Sequence, residues 1–165
     1  MTVSRLIATF FYAGHLRPAP GTWASAIAIG LGLVIHGIGS FPLLAAATLA
    51  ATGWGFWAVE RELRGRMGED PQEYVIDEVA GQWLALCAPS FGFWMMGLDN
   101  WHFSYPGWVA AFVFFRLFDI WKPWLVGRAD RRGDVAGVMA DDLWAGLFAG
   151  IATMAAAAVS HGVLM

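Results

Sequence analysis

VMADDLWAGLFAGIATMAAAAV, residues 138–159, sets an apolar run of membrane-spanning length directly behind two adjacent aspartates, Asp141 and Asp142. About 20 apolar residues at 1.5 Å rise cross the roughly 30 Å hydrocarbon core of a bilayer. Ionisable groups at the rim of such a helix cost about 2.5 kcal/mol or more each when unpaired, so the pair needs a physical reason to be there. The same composition extends outward. The chain has 165 residues, 58% hydrophobic and 14% charged, with a mean hydropathy of +0.55. A soluble domain is about 25% charged.

Four more apolar stretches precede this one: Thr22–Ser40, Phe41–Val59, Val79–Gly97 (containing Pro89) and Tyr105–Trp121. Short connections rich in turn formers join them, with Pro42, Pro71, Asp99-Asn100, Pro106, Pro123 and Gly133 among the markers. The reading is all-α: one polytopic membrane helical bundle of about four to five hydrophobic helices with short loops, a single domain over residues 1–165. The first 18 residues read as an interfacial segment rather than a signal peptide, because Arg17 and Pro18-Ala19-Pro20 stand where cleavage would occur.

Nine of the ten basic residues lie on alternate connections: Arg5 and Arg17, then Arg61, Arg64 and Arg66, then Lys122, Arg128, Arg131 and Arg132. The positive-inside rule therefore puts the N-terminus and these loops in the cytoplasm. A net charge of −3 offers no basic field to nucleic acid. Cys87, the one cysteine, excludes an intramolecular disulfide and a thiolate zinc site. The four histidines are scattered without ligand spacing.

Three charged groups fall on that cytoplasmic side. Asp77-Glu78 opens the third stretch, with Gly81 one turn on to admit a neighbour; helix capping is the simpler account of the acids. Arg116, Asp119 and Lys122, spaced by three, form a stripe on the fourth helix; a structural ion pair or a snorkelling lysine is the plainer alternative. Asp130 and Asp134 lead to Asp141-Asp142 and Gly146, where capping accounts for one acid but not easily for two. Carboxylates from two helices beside cationic groups suit Mg²⁺ and a phosphate: the ion takes a few carboxylates, and Arg and Lys hold phosphate oxygens. A small cation-coupled transporter is the rival from another class, but transport predicts charges spread through the membrane depth.

With these residues in view, the chain resembles the phosphatidylglycerophosphatase A family over nearly its whole length. The resemblance is carried by Pro20-Gly21-Thr22 with Ser25, by Tyr74-Val75-Ile76-Asp77-Glu78 with Gly81, and by Phe115-Arg116-Leu117-Phe118-Asp119-Ile120-Trp121-Lys122-Pro123. It ends in Asp130, Gly137-Val138-Met139 and Asp141-Asp142 through Ala145-Gly146. Ala24 and Ala140 depart from the usual pattern without touching the charged set. The resemblance implies an all-α enzyme of the bacterial inner membrane, hydrolysing phosphatidylglycerophosphate to phosphatidylglycerol and phosphate with Mg²⁺, at the cytoplasmic face.

The expected metal ligands are Asp77, Glu78, Asp141 and Asp142. Arg116 and Lys122 would neutralise the phosphate, and Asp119 would orient Arg116 or act as general base, with Asp130 the weaker candidate for that base. Gly21 and Thr22 would add donors. The absence of a credible Cys, His or Ser nucleophile favours direct attack by water. A phosphatase of another lipid phosphate is the nearest alternative, and the oligomeric state stays open.

Overall fold

A computed structural model describes residues 2–65, 71–103 and 105–164, with the side chains of 161–164 excepted. Arg66, one of the basic loop residues, lies outside the described residues. Every regular element among them is helical: α1 (Val3–Ala8), a 3-10 turn (Ala13–His15), α2 (Pro20–Glu62), α3 (Ile76–Met95), α4 (Tyr105–Trp121), α5 (Trp124–Asp130) and α6 (Val135–Leu164).

The 43-residue α2 is not one straight rod. Gly39 and Ser40 leave helical geometry, Ser40 with φ +56°, and Pro42 follows as the second arm begins. Contacts with α3 show the result. Ala28, His36 and Phe41 meet Trp83, Ser90 and Phe91 in turn; then Thr48 and Gly55 meet Cys87 and Ile76 on the way back. The two arms are antiparallel, and they correspond to the first two apolar stretches. Pro20 starts the first arm at a position where a missing N–H costs nothing.

Pro89 does not interrupt α3, which runs on to Met95; Met96 caps it, and Gly97 (φ +62°) has the left-handed conformation usual after a helix end. α4 has the bounds read from its hydropathy and stops where Pro123 disfavours helical geometry at Lys122, whose φ is +50°. The last connection contains α5, which the hydropathy pattern treats as loop. α6 begins three residues earlier than its apolar run because Asp134 caps it, its Oδ1 accepting the Gly137 N–H at 2.7 Å. Asp141 and Asp142 thus sit inside the helix rather than at its cap.

Two helix backbones, those of α3 and α6, approach very closely. A Cβ on Gly81 would overlap the Asp142 carbonyl oxygen, and one on Gly146 would overlap the Gly81 carbonyl. The two backbones touch there, so Asp77-Glu78 and Asp142 are held level. The core around this crossing includes Val79, Ala80, Phe115, Met139, Ala145 and Ala149.

Large apolar side chains cover the exterior, among them Leu49, Ile120 and Ile151. So wide an apolar surface marks contact with something other than water. Among the described residues two helices, α2 and α6, are long and apolar enough to cross a membrane by length and composition. The N-terminal segment packs on the bundle's end: Thr2 and Ser4 donate to Glu62, and the Ala8 carbonyl accepts the Val75 N–H at 2.8 Å.

Candidate active site

At the end of the bundle where α2 starts, α3 starts and α4 stops lies a cavity of about 330 Å³. Pro18, Ala19, Pro20, Gly21 and Thr22 form one wall, Gln72 and Tyr74 another. Asp77, Glu78, Arg116, Asp119, Lys122, Asp141 and Asp142 supply the charge. Of the expected site residues, only Asp130 is absent from this lining; it reaches the site through an ion pair with Lys122.

Asp77, Glu78 and Asp142 each bring one carboxylate oxygen within 4.8 Å of the others'. Asp77 and Asp142 are buried, at 7% and 3% exposure, and Glu78 is partly so. Glu78 Oε2 and Asp142 Oδ1 are buried with no hydrogen-bond partner. Leaving a buried polar atom unpaired costs about 1–3 kcal/mol, more when charged. A helix dipole accounts for acids in the first turn of α3, but not for Asp142, two turns into α6. Three converging carboxylates, two of them with an orphaned oxygen, are the donor set of a hard divalent cation, so the residues fit one.

Asp141 has a different surrounding from its neighbour. Its Oδ2 accepts from Lys122 Nζ at 2.9 Å, and Lys122 also binds Asp130. Burial alone would lower the Lys122 pKa; the hydrogen bonds and charges of Asp130 and Asp141 outweigh it and hold the ammonium well above its usual value. The ammonium thus stays charged beside the acidic cluster.

Arg116 Nη1 pairs with Asp119 Oδ2 at 2.6 Å, both side chains about one-sixth exposed. It also donates to Ser25 Oγ at 3.5 Å, while the buried Arg116 Nε has no partner. The ion pair read as the plain alternative is present. Because it lines the cavity, it also aims a guanidinium at whatever enters. Gly21 lies against both partners of the site: a Cβ there would overlap Glu78 Oε1 and sit 3.5 Å from Arg116 Nη1. Ser25 and Tyr74, quoted in the sequence only as markers of resemblance, belong to the site; Ser25 follows Gly21 by one helical turn, which is the signal that finds it.

Acids converging beside fixed Arg and Lys at the end of an apolar helical bundle define a class, the enzymes of phosphoryl chemistry on lipids. The chain belongs to the phosphatidylglycerophosphatase A family, whose sequence profile matches residues 6–157, and it is a lipid phosphatase. A protein of Bacteroides thetaiotaomicron, provisionally named a phosphatidylinositol-3-phosphatase, is 34% identical over 87% of this chain and 86% of its own. Proteins named phosphatidylglycerophosphatase A from Haemophilus influenzae and Escherichia coli are 29% and 31% identical. They align with 91% and 86% of this chain and with 86% and 76% of their own. No solved structure matches the chain.

Proposed function

We propose that this protein is a Mg²⁺-dependent phosphatidylglycerophosphatase of the bacterial inner membrane, releasing phosphate at the cytoplasmic face. The observation that carries the reading is the pair of orphaned oxygens on Glu78 and Asp142, clustered with Asp77 beside Arg116 and Lys122. Asp77, Glu78 and Asp142 would hold Mg²⁺, with Asp141 joining them or keeping Lys122 in place. The ion would supply electrostatic stabilisation of phosphate oxygens and of the oxygen that attacks.

The chain's own groups do the rest. Arg116 binds the phosphomonoester oxygens as charge redistributes over them, and Asp119 fixes the direction of its guanidinium. Lys122, held charged by Asp130 and Asp141, adds a second positive centre. Gly21 keeps the first arm of α2 close enough for Thr22 to reach the phosphate. Water attacks phosphorus, the bond from phosphorus to the headgroup oxygen breaks, and a proton given up by the water ends on that oxygen, which leaves as the alcohol.

The orientation rests on the basic residues. Arg5, Arg61, Arg64, Lys122, Arg128, Arg131 and Arg132 all lie at or beside the connections of the cavity end, while the opposite connection, 96–103, has none. The two arms of α2 together with α3, α4 and α6 make the proposed four to five crossings.

The name of the Bacteroides relative favours a second substrate, a phosphoinositide. Both lipids carry a phosphomonoester on a headgroup that is itself joined by a phosphodiester. Phosphate release from phosphatidylglycerophosphate, phosphatidylinositol 3-phosphate and phosphatidic acid, each with Mg²⁺ and with EDTA, separates the readings. Mg²⁺-dependent release from the first at the highest rate is expected. Preference for the second lipid transfers the assignment to it, and rates unaffected by EDTA remove the metal.

A further inference from the structure

Phe10, Phe11 and Tyr12 have φ of +43°, +52° and +71°. Residues with side chains enter this left-handed region singly, so a run of three is held by the rest of the molecule rather than by local preference. On one flank the Ala8 carbonyl accepts the Val75 N–H. On the other, Gly14 lies so close to Glu73 that a Cβ would overlap its carbonyl oxygen. The turn is a fixed wall. Ile27 and Leu31 of α2 face it, and together Phe10, Phe11, Tyr12, Leu16, Ile27 and Leu31 bound an apolar groove of about 320 Å³.

The groove and the catalytic cavity are built from neighbouring parts of the chain. Leu16 lines the groove and Pro18, two residues later, lines the cavity. Pro20 lines the cavity, and Ile27 and Leu31 follow it by 7 and 11 residues, which puts all three on one stripe of the first arm of α2. By helix geometry they lie about 10 and 16 Å further along the bundle axis. A phosphate in the cavity and hydrocarbon in the groove are thus arranged in the order they have in a phospholipid. Phe11 and Leu31 are 68% and 43% exposed, so hydrocarbon reaches the groove from the side.

We propose that this groove seats one acyl chain of the lipid whose headgroup phosphate enters the cavity, and that the 10–16 segment is the wall that positions it. The inference rests on the lipid-phosphatase reading and extends it from the headgroup to the chain. Its consequence is kinetic: the protein recognises its substrate through hydrocarbon as well as phosphate, and a headgroup without chains is a poor substrate.

The test compares dioleoyl phosphatidylglycerophosphate in mixed micelles with the same headgroup after removal of both acyl chains, following phosphate release. The proteins are wild type, Ile27→Trp and Leu31→Trp, which fill the groove, and Leu147→Trp, which enlarges an exposed apolar residue of α6 elsewhere on the surface. The groove variants are expected to lose about tenfold in kcat/KM on the diacyl lipid, chiefly through KM, and less than about twofold on the chain-free substrate. Leu147→Trp is expected to behave as wild type on both. Equal losses on both substrates, no loss on either, or the same loss in Leu147→Trp overturns the groove. So does a wild type that turns over both substrates equally well. A wild type that releases phosphate from neither substrate overturns the functional reading itself, and the groove with it.

Discussion

The two ends of the bundle both pair acids with bases, and they do it in opposite ways. At the end away from the cavity, Asp99 Oδ2 and His102 Nδ1 lie 2.7 Å apart with both side chains more than half exposed, and Asp99 also accepts the Trp101 N–H. Every part of that arrangement is a loop closing on itself. At the cavity end, Asp77, Glu78 and Asp142 come from two helices and are shielded from water, and two of their oxygens are left without partners. Exposed acids satisfied by their own loop need no ligand; buried acids left unsatisfied do.

The sharpest test of that contrast is Asp142→Asn. It is expected to lower Mg²⁺-dependent phosphate release by about 10³-fold, in line with the loss of a central electrostatic group, while circular dichroism still reports a folded helical protein. Near-wild-type activity would put Asp142 outside the ligand set and make the two ends alike.

Arg116→Lys comes next. The planar guanidinium whose Nη1 meets both Asp119 and Ser25 is lost although the charge is kept, and kcat/KM is expected to fall about 10²-fold. A change below twofold would reduce the pair to scaffolding.

Gly146→Val tests how the acids are brought level. Its side chain would be driven into the Gly81 carbonyl. Thermal unfolding in detergent should show a loss of about 1–3 kcal/mol, with activity falling as α3 and α6 separate. Unchanged stability would mean that the crossing is looser than the backbone contact implies.

Asp99→Asn closes the series at the other end, where the expected change in activity is less than about twofold. The Asp99 carboxyl is held below its usual pKa by the Trp101 N–H, then by His102. Its contribution to stability is therefore present at neutral pH and is lost only as pH falls through that lowered value, below about 3.9. A stability difference between wild type and Asp99→Asn that is absent at neutral pH, or that fails to shrink as pH falls below the usual carboxylate range, would contradict this.

Much of the architecture was legible because hydropathy and turn residues are local. Tyr105–Trp121 was read with the bounds it has, and the Gly39-Ser40-Phe41-Pro42 junction marked the reversal inside α2. α5 is not legible in the sequence because seven residues between a proline and a basic turn leave no periodic signal. Hydropathy places the start of α6 three residues late, because Gly137 weakens the helical signal of its first turn and only the Asp134 cap announces it. The N-terminal segment, read as interfacial, packs against Glu62 and Val75 through pairings some 60 residues apart in sequence, which no local pattern reveals.

The sequence by itself determined an apolar helical bundle, the side on which its charges gather and the residue types present there, because composition, spacing and side-chain chemistry are properties of the chain. Only the tertiary structure decided how adjacent aspartates divide, Asp141 to Lys122 and Asp142 to the cluster with Asp77 and Glu78. One residue along a helix turns the side chain by about 100°, and which direction faces an ammonium and which faces two carboxylates depends on the helices packed alongside. Those helices meet where Gly81 and Gly146 let two backbones touch.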